Sequence, residues 1–165
     1  QLDMAIIAFS LIGSLLAFIK YNFHPACIFM GDTGSLVLGM ILSVLAINTI
    51  KYGLVTETIS LPNKGPLLAI VFLSIPLFDS LRVFVVRTSK GDGPLTAGRD
   101  HIHHALLELG LGHIKTSLIL YFASIFLIFG CYFLLEININ FSIAILTFSS
   151  YFLLIIPFYI LRKKK

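Results

Sequence analysis

The stretch Ser35–Ile50, SLVLGMILSVLAINTI, holds no charged residue and no proline. Its apolar residues form a run instead of alternating with polar ones. That is the pattern of a helix in hydrocarbon, where about 20 helical residues cross the bilayer core. Four more runs of this kind lie to either side, at about Met4–Ile19, Leu67–Val86, Thr116–Leu135 and Phe141–Leu161. Composition agrees. Of 165 residues, 58% are hydrophobic and 12% charged, with a mean hydropathy of +0.98, whereas a soluble domain carries roughly twice that charge fraction. The sequence therefore predicts an all-α, polytopic integral membrane protein with about five transmembrane helices.

The first run is not a cleaved signal peptide, because it is long, lacks a basic start and is followed by more runs like it. The chain begins at Gln1 almost directly with a hydrophobic run, which reads as a cut after a preceding segment. Cys27 and Cys131 are far apart and suggest neither a zinc site nor a disulfide framework. They read as small apolar residues. Pro66 suits a helix start, while Pro76 and Pro157 lie inside runs and are expected to kink them.

Basic residues set the expected orientation. Of twelve Lys and Arg, nine (Lys20, Arg87, Lys90, Arg99, Lys115, Arg162, Lys163, Lys164, Lys165) fall on one side when connections alternate. Lys51 and Lys64 fall on the other, and Arg82 lies inside a run. Basic loops stay cytoplasmic, so Lys20–Gly34, the histidine-containing loop Thr88–Lys115 and the C-terminal tail are expected on the cytoplasmic side. The net charge of +4 then implies contact with anionic headgroups or anionic substrates, without nucleic acid.

Three segments can carry chemistry. In Phe29-Met30-Gly31-Asp32-Thr33-Gly34-Ser35, just before the second helix, two glycines permit a tight turn and close approach of a ligand. Asp32 is a hard oxygen ligand of the kind Mg²⁺ takes together with phosphates. A helix start also attracts phosphate. The competing reading is a plain N-cap, and the two roles are compatible. In Gly98-Arg99-Asp100-His101-Ile102-His103-His104, three histidines fall within four residues beside Arg99. If the following apolar stretch is helical, His101 and His104 share a face at i, i+3. Phosphate binding, proton transfer, a transition-metal site and plain solvent exposure all stay open for these histidines. Asp79 and Arg82, inside the third run, are either a self-contained i, i+3 pair or the floor of a polar cleft, roughly 13 Å below the helix end. Arg87 is expected to snorkel to headgroups. His24 and His113 read as isolated interfacial residues.

Taken together, Phe29-Met30-Gly31-Asp32-Thr33-Gly34-Ser35-Leu36, Pro76-Leu77-Phe78-Asp79-Ser80-Leu81-Arg82 and Arg99-Asp100-His101-Ile102-His103-His104 resemble the motifs of one family. These are the polyprenyl-phosphate N-acetylhexosamine-1-phosphate transferases (the MraY/WecA type, glycosyltransferase family 4). The resemblance covers essentially all of residues 1–165, as the C-terminal part of a single multi-spanning transferase domain. The family's early loop of adjacent aspartates and its Asn- and Asp-rich loop have no counterpart here.

The resemblance implies transfer of a sugar-1-phosphate from a UDP-HexNAc to undecaprenyl phosphate, with release of UMP. The reaction would take place at the cytoplasmic face of the bacterial cytoplasmic (inner) membrane and begin envelope polysaccharide synthesis. It implies Mg²⁺, with Mn²⁺ as a substitute, and Asp32 as metal ligand. It makes Asp32, His101, His103 and His104 catalytic candidates, and Gly31, Gly34, Ser35, Asp79, Arg82 and Arg99 substrate-binding ones. The expected partners are the UDP-sugar, undecaprenyl phosphate, the lipid bilayer and the N-terminal half of the enzyme, with a homodimer also allowed. Ile102 between His101 and His103, and Ala105 after His104, favour the UDP-GlcNAc branch over the muramoyl-pentapeptide branch, which carries three adjacent histidines followed by Phe. Gly98 stands where relatives often have an acidic residue. A truncated, non-catalytic membrane scaffold is the competing reading, and a histidine-based metal binder or transporter a further one.

Overall fold

The computed structural model describes residues 2–23, 25–55, 64–93, 98 and 100–164, and among them it is helical with no strand. In chain order the helices are α1 (Leu2–Asn22), α2 (Gly31–Val55), α3 (Gly65–Phe72), α4 (Ser74–Lys90), α5 (Ile102–Glu108), α6 (His113–Leu134) and α7 (Ile139–Lys164). Helices α1, α2, α6 and α7 are each long and apolar enough to cross a membrane, and α3 with α4 makes a fifth span if the bent pair counts as one. The chain is thus a multi-pass helical membrane protein.

It divides into two compact units, Gln1–Gly65 and Pro66–Lys165. In the first, the apolar stretches of α1 and α2 bury none of their residues within the protein. Leu2, Phe9, Leu16, Leu36 and Met40 are all more than 60% exposed. Such surface is stable only against lipid or further protein. Cys27 is exposed in the connection between the two helices.

The second unit has a true core. Leu67 and Val71 of α3 meet Leu127 and Cys131 of α6 and Leu146 of α7. A second cluster joins Phe78 of α4, Ile102 and Leu106 of α5, and Leu154 of α7. Between α6 and α7, Asn138 caps the new helix by accepting from the N–H of Asn140 at 3.0 Å. The fully buried Ser142 hydroxyl reaches back to the carbonyls of Leu134 (2.8 Å) and Asn138 (3.1 Å).

The span expected at Leu67–Val86 is not one helix. It turns by 73° at Leu73, between α3 and α4. The cause is Pro76, acting one turn earlier than its own position. Proline has no N–H to give the carbonyl four residues back, and its ring crowds that carbonyl, here Phe72. The chain gives way at that place. Leu77 N–H still bonds to Leu73 O at 2.9 Å, and Ser74 Oγ donates to Val71 O at 2.9 Å across the bend. Pro157 leaves its helix unbroken, since α7 runs through it with Pro157 buried. The remaining expected helices are longer than their apolar runs. The Gly31–Ser35 motif forms the first turn of α2, not the segment before it.

Ser142→Ala should lower stability by about 1 kcal/mol. The cost stays modest because Leu134 O and Asn138 O each keep a backbone donor, from Ile137 and Ser142. The midpoint of reversible unfolding in mixed detergent micelles measures it.

Candidate active site

The polar residues of the second unit gather where the segment before α5 lies along α4. Helix α4 buries Ser74, Phe78, Asp79, Val83 and Arg87 on one stripe at helical spacing. Two of these are charged, and each is met by the incoming chain. Asp79 Oδ2 lies 2.9 Å from His101 Nδ1, and Asp79 Oδ1 accepts the N–H of Ile102 at 3.0 Å. Two turns along the stripe, Arg87 Nε donates to Asp100 Oδ2 at 3.0 Å. Between them Arg82 donates through Nη2 to the Asp100 carbonyl. The Arg82 guanidinium also sits 3.6 Å over the ring of Phe158 on α7, a favourable cation–π placement.

Three sequence expectations change here. Asp79 and Arg82 are not a self-contained pair, for Arg82 Nε stands 3.8 Å from Asp79 Oδ1 and makes no hydrogen bond. Both oxygens of Asp79 serve the start of α5 instead. Arg87 does not snorkel, being 7% exposed and engaged with Asp100. Sequence reasoning missed it as a site residue because its partner lies thirteen positions on and no short-range pattern links the two. His101 and His104 do not share a helical face, since His101 is the extended residue that precedes α5 (φ −74°, ψ 153°). The rings make a chain instead. His101 stacks on His103 at 5.8 Å and 14°, and His103 meets His104 at 4.1 Å.

Ile102 is 5% exposed and belongs to the core with Ala105 and Leu106. That i, i+3, i+4 stripe seats α5 and leaves His103 exposed and His104 half-buried. Gly98 lies close to the Arg87–Asp100 pair. A Cβ there would come within 2.7 Å of Arg87 Nη2 and 2.9 Å of Asp100 Oδ2.

Electrostatics follow from these contacts. The hydrogen bond from Arg87 holds the Asp100 carboxyl below the usual carboxylate range. Partial desolvation, and after it the neighbouring His104 and His101, press the His103 imidazole below the ordinary histidine value.

In the first unit, Asp32 is exposed in the opening turn of α2, where a negative charge suits the helix dipole. It lies inside the helix and is not its cap residue. Gly31 before it has φ +64°, a backbone state that favours glycine. Gly34 is covered by Met30, whose Cγ would stand 2.6 Å from an added Cβ. Ser35 Oγ donates to Asp32 O at 3.0 Å. Arg99 and His24 lie outside the described residues, and His113 opens α6 as an exposed residue. Among the described residues no three His, Cys, Asp or Glu side chains converge as a metal cage.

These features define a helical membrane protein with an imidazole and guanidinium cluster held at one end of a bent span. Comparison with known proteins gives the family. Residues 1–50 match the family described as Glycosyl transferase family 4. A probable undecaprenyl-phosphate N-acetylglucosaminyl 1-phosphate transferase of Bacillus subtilis is 39% identical over 111 residues, covering 67% of this chain and 29% of that protein. A decaprenyl-phosphate N-acetylglucosaminephosphotransferase of Mycolicibacterium smegmatis is 35% identical over 123 residues, or 71% of this chain and 30% of the relative. A phospho-N-acetylmuramoyl-pentapeptide-transferase of Rubrobacter xylanophilus is 49% identical over 75 residues, 46% of this chain and 21% of the relative. No solved structure matches the chain significantly. The chain belongs to glycosyl transferase family 4, and it spans about a third of the length of the curated relatives it matches.

The depressed midpoint of His103 has a definite sign. The folded protein holds fewer protons at this ring than the unfolded chain does. Docking of α5 is therefore strongest above about pH 6.5 and weakens as pH falls through the folded midpoint. A ring-carbon titration by NMR should show His103 half-charged below pH ~6.5, and His104→Ala should move that midpoint upward.

Proposed function

We propose that this chain supplies part of the active site of an enzyme that moves N-acetylglucosamine-1-phosphate, or a related HexNAc-1-phosphate, from a UDP-sugar to undecaprenyl phosphate. The products are the lipid-linked sugar diphosphate and UMP. The observation that carries the reading is the imidazole chain of His101, His103 and His104, fixed to α4 through Asp79 in a member of this family. Its relatives' names supply the substrate classes.

Phosphoryl transfer asks a protein chiefly for fixed positive charge and hydrogen-bond donors around the reacting phosphate. The cluster suits that demand. Arg82 and Arg87 hold the backbone and side chain of Asp100 and so fix the entry to the histidines. The histidines then present ring nitrogens held in place by Asp79 and by one another. Of the sequence candidates, His101, His103, His104 and Arg99 are assigned to the diphosphate. Asp79 and Arg82 are assigned to support, not to direct substrate contact.

Asp32 fits a Mg²⁺ ligand. It is an exposed carboxylate beside two glycines at a helix start, and Mg²⁺ usually takes one or two carboxylates and completes its shell with water and phosphate oxygens. Asp32 would hold the ion, and the chemistry it would supply there is neutralisation of phosphate charge. Mn²⁺ has the same ligand preference. Gly31 and Ser35 would let the backbone approach a phosphate, while Gly34 makes room for Met30. We place the work at the cytoplasmic face of a bacterial inner membrane, on the strength of the basic-residue asymmetry.

A specific observation favours the GlcNAc branch over the muramoyl one. The position between His101 and His103 is a buried core residue, Ile102, whereas a histidine there would have to bury a polar ring. The scaffold reading accounts less well for an Asp79–His101–Ile102 arrangement that satisfies every oxygen of a buried carboxylate.

Because the match covers only 29% and 30% of these two relatives, the activity is assigned to the protein that joins this chain to the remaining length. Transfer from radiolabelled UDP-GlcNAc to undecaprenyl phosphate tests it. The complete protein should give Mg²⁺-dependent lipid product, residues 1–165 alone none, and Asp32→Asn in the complete protein a loss of roughly 100-fold or more. Unchanged transfer by Asp32→Asn would favour a scaffold role for this motif.

A further inference from the structure

Asp79 makes two contacts with different requirements. Its Oδ1 accepts the backbone N–H of Ile102 at 3.0 Å, and its Oδ2 faces Nδ1 of His101 at 2.9 Å. The first contact is one-way, because a peptide N–H can only donate. The second depends on which ring nitrogen of His101 carries the proton.

An ionised carboxylate can only accept hydrogen bonds, so the 2.9 Å contact requires Nδ1 of the ring to donate. We infer that Asp79 is a positioning residue that locks His101 in the Nδ1–H tautomer and leaves Nε2 as the ring nitrogen available to a ligand. This inference deepens the proposed transferase reading. The lock itself rests on geometry alone, and only its consequence for catalysis rests on that reading.

The backbone half of the arrangement makes the lock directional. A carboxylate can accept at both oxygens, but an amide accepts at one end and donates at the other. In Asp79→Asn the Ile102 N–H claims the amide oxygen. The amide NH₂ then faces His101, whose Nδ1 must become the acceptor. The substitution should therefore invert the tautomer and turn Nε2 from lone-pair bearer into N–H, while Ile102 keeps its hydrogen bond and α5 its seat. A residue serving packing alone has no reason to produce that reversal. His103, stacked 5.8 Å away, would meet the changed ring face.

The experiment is nitrogen-15 NMR of histidine-labelled chain in lipid bilayers above pH 7.5, with the His101 signals identified by their loss in His101→Gln. The inference expects a protonated Nδ1 and bare Nε2 in the wild type and the reverse in Asp79→Asn, with the Ile102 amide still protected from exchange. A wild-type His101 protonated on Nε2 overturns it whatever Asp79→Asn shows, as does an Asp79→Asn protein that keeps both Ile102 protection and the wild-type pattern. Transfer by the complete protein is the second readout. There Asp79→Asn should lower kcat roughly 100-fold or more, with KM for UDP-GlcNAc nearly unchanged. If the tautomer inverts and kcat does not fall, the positioning role in catalysis is overturned. If the wild-type protein transfers nothing, the proposed function fails while the NMR result still decides the lock.

Discussion

A carboxylate buried in an apolar helical unit is the constraint from which the rest of the site follows. Asp79 is 7% exposed on a helix packed among aliphatic side chains. An uncompensated anion there would cost several kcal/mol. Its own helix cannot satisfy it, because α4's backbone donors are occupied and Arg82 comes only within 3.8 Å. The donors come from the chain twenty-odd residues later, from the ring of His101 and the free N–H at the start of α5. Helix starts leave such N–H groups unpaired by construction, so one contact settles two otherwise orphaned groups. The histidine segment thus lies on α4 because an anion and a helix start each lack a partner until they meet.

A second clamp makes the placement rigid. Asp79 and Arg87 are eight residues apart on one stripe, about 12 Å along the axis, and each binds the same short segment through a neighbouring residue, His101 or Asp100. A single contact would allow that segment to swing. Two contacts of opposite charge order, with Arg82 on the Asp100 carbonyl between them, fix both position and direction. The bend at Leu73 is a separate matter of covalent geometry. Pro76 deprives Phe72 O of its donor, and α4 departs from α3 at 73°. The two halves can then join different clusters, α3 against α6 and α7 at one end, α4 against α5 and α7 at the other.

The apolar runs made the spans legible, because a helix in lipid is recognised by what it lacks and needs no partner to be named. The Gly31–Ser35 motif and the histidines were legible as chemistry for a similar reason, since their residue types are rare in such a chain. Arg87 and Asp79 were legible as charges but not in their roles. Local rules offered each a nearby solution, headgroups for Arg87 and Arg82 for Asp79. The structure instead chose Asp100 and His101, partners thirteen and twenty-two positions away. The i, i+3 face expected for His101 and His104 failed because the helix starts at Ile102, one residue too late to include His101. Helix ends are where periodicity arguments are weakest, and this site is built on a helix end. The bend was read at Pro76 although its effect falls on the carbonyl four residues earlier.

Ile102 shows how a packing residue can separate chemical roles within one short motif. Its side chain goes inward with Ala105 and Leu106 while its N–H goes to Asp79. The residue before it is thereby held in extended backbone, with its ring on the same carboxylate. The two residues after it are carried around the first turn of α5, where their rings meet each other and His101. Three histidines of the same type consequently have three environments: one bonded to an anion, one pressed toward neutrality by desolvation and by its neighbours, and one half-buried against the helix. A histidine in place of Ile102 would forfeit the inward anchor and loosen the frame that distinguishes the other three. The apolar residue inside the polar motif is therefore part of the chemistry, because it makes the surrounding imidazoles unequal.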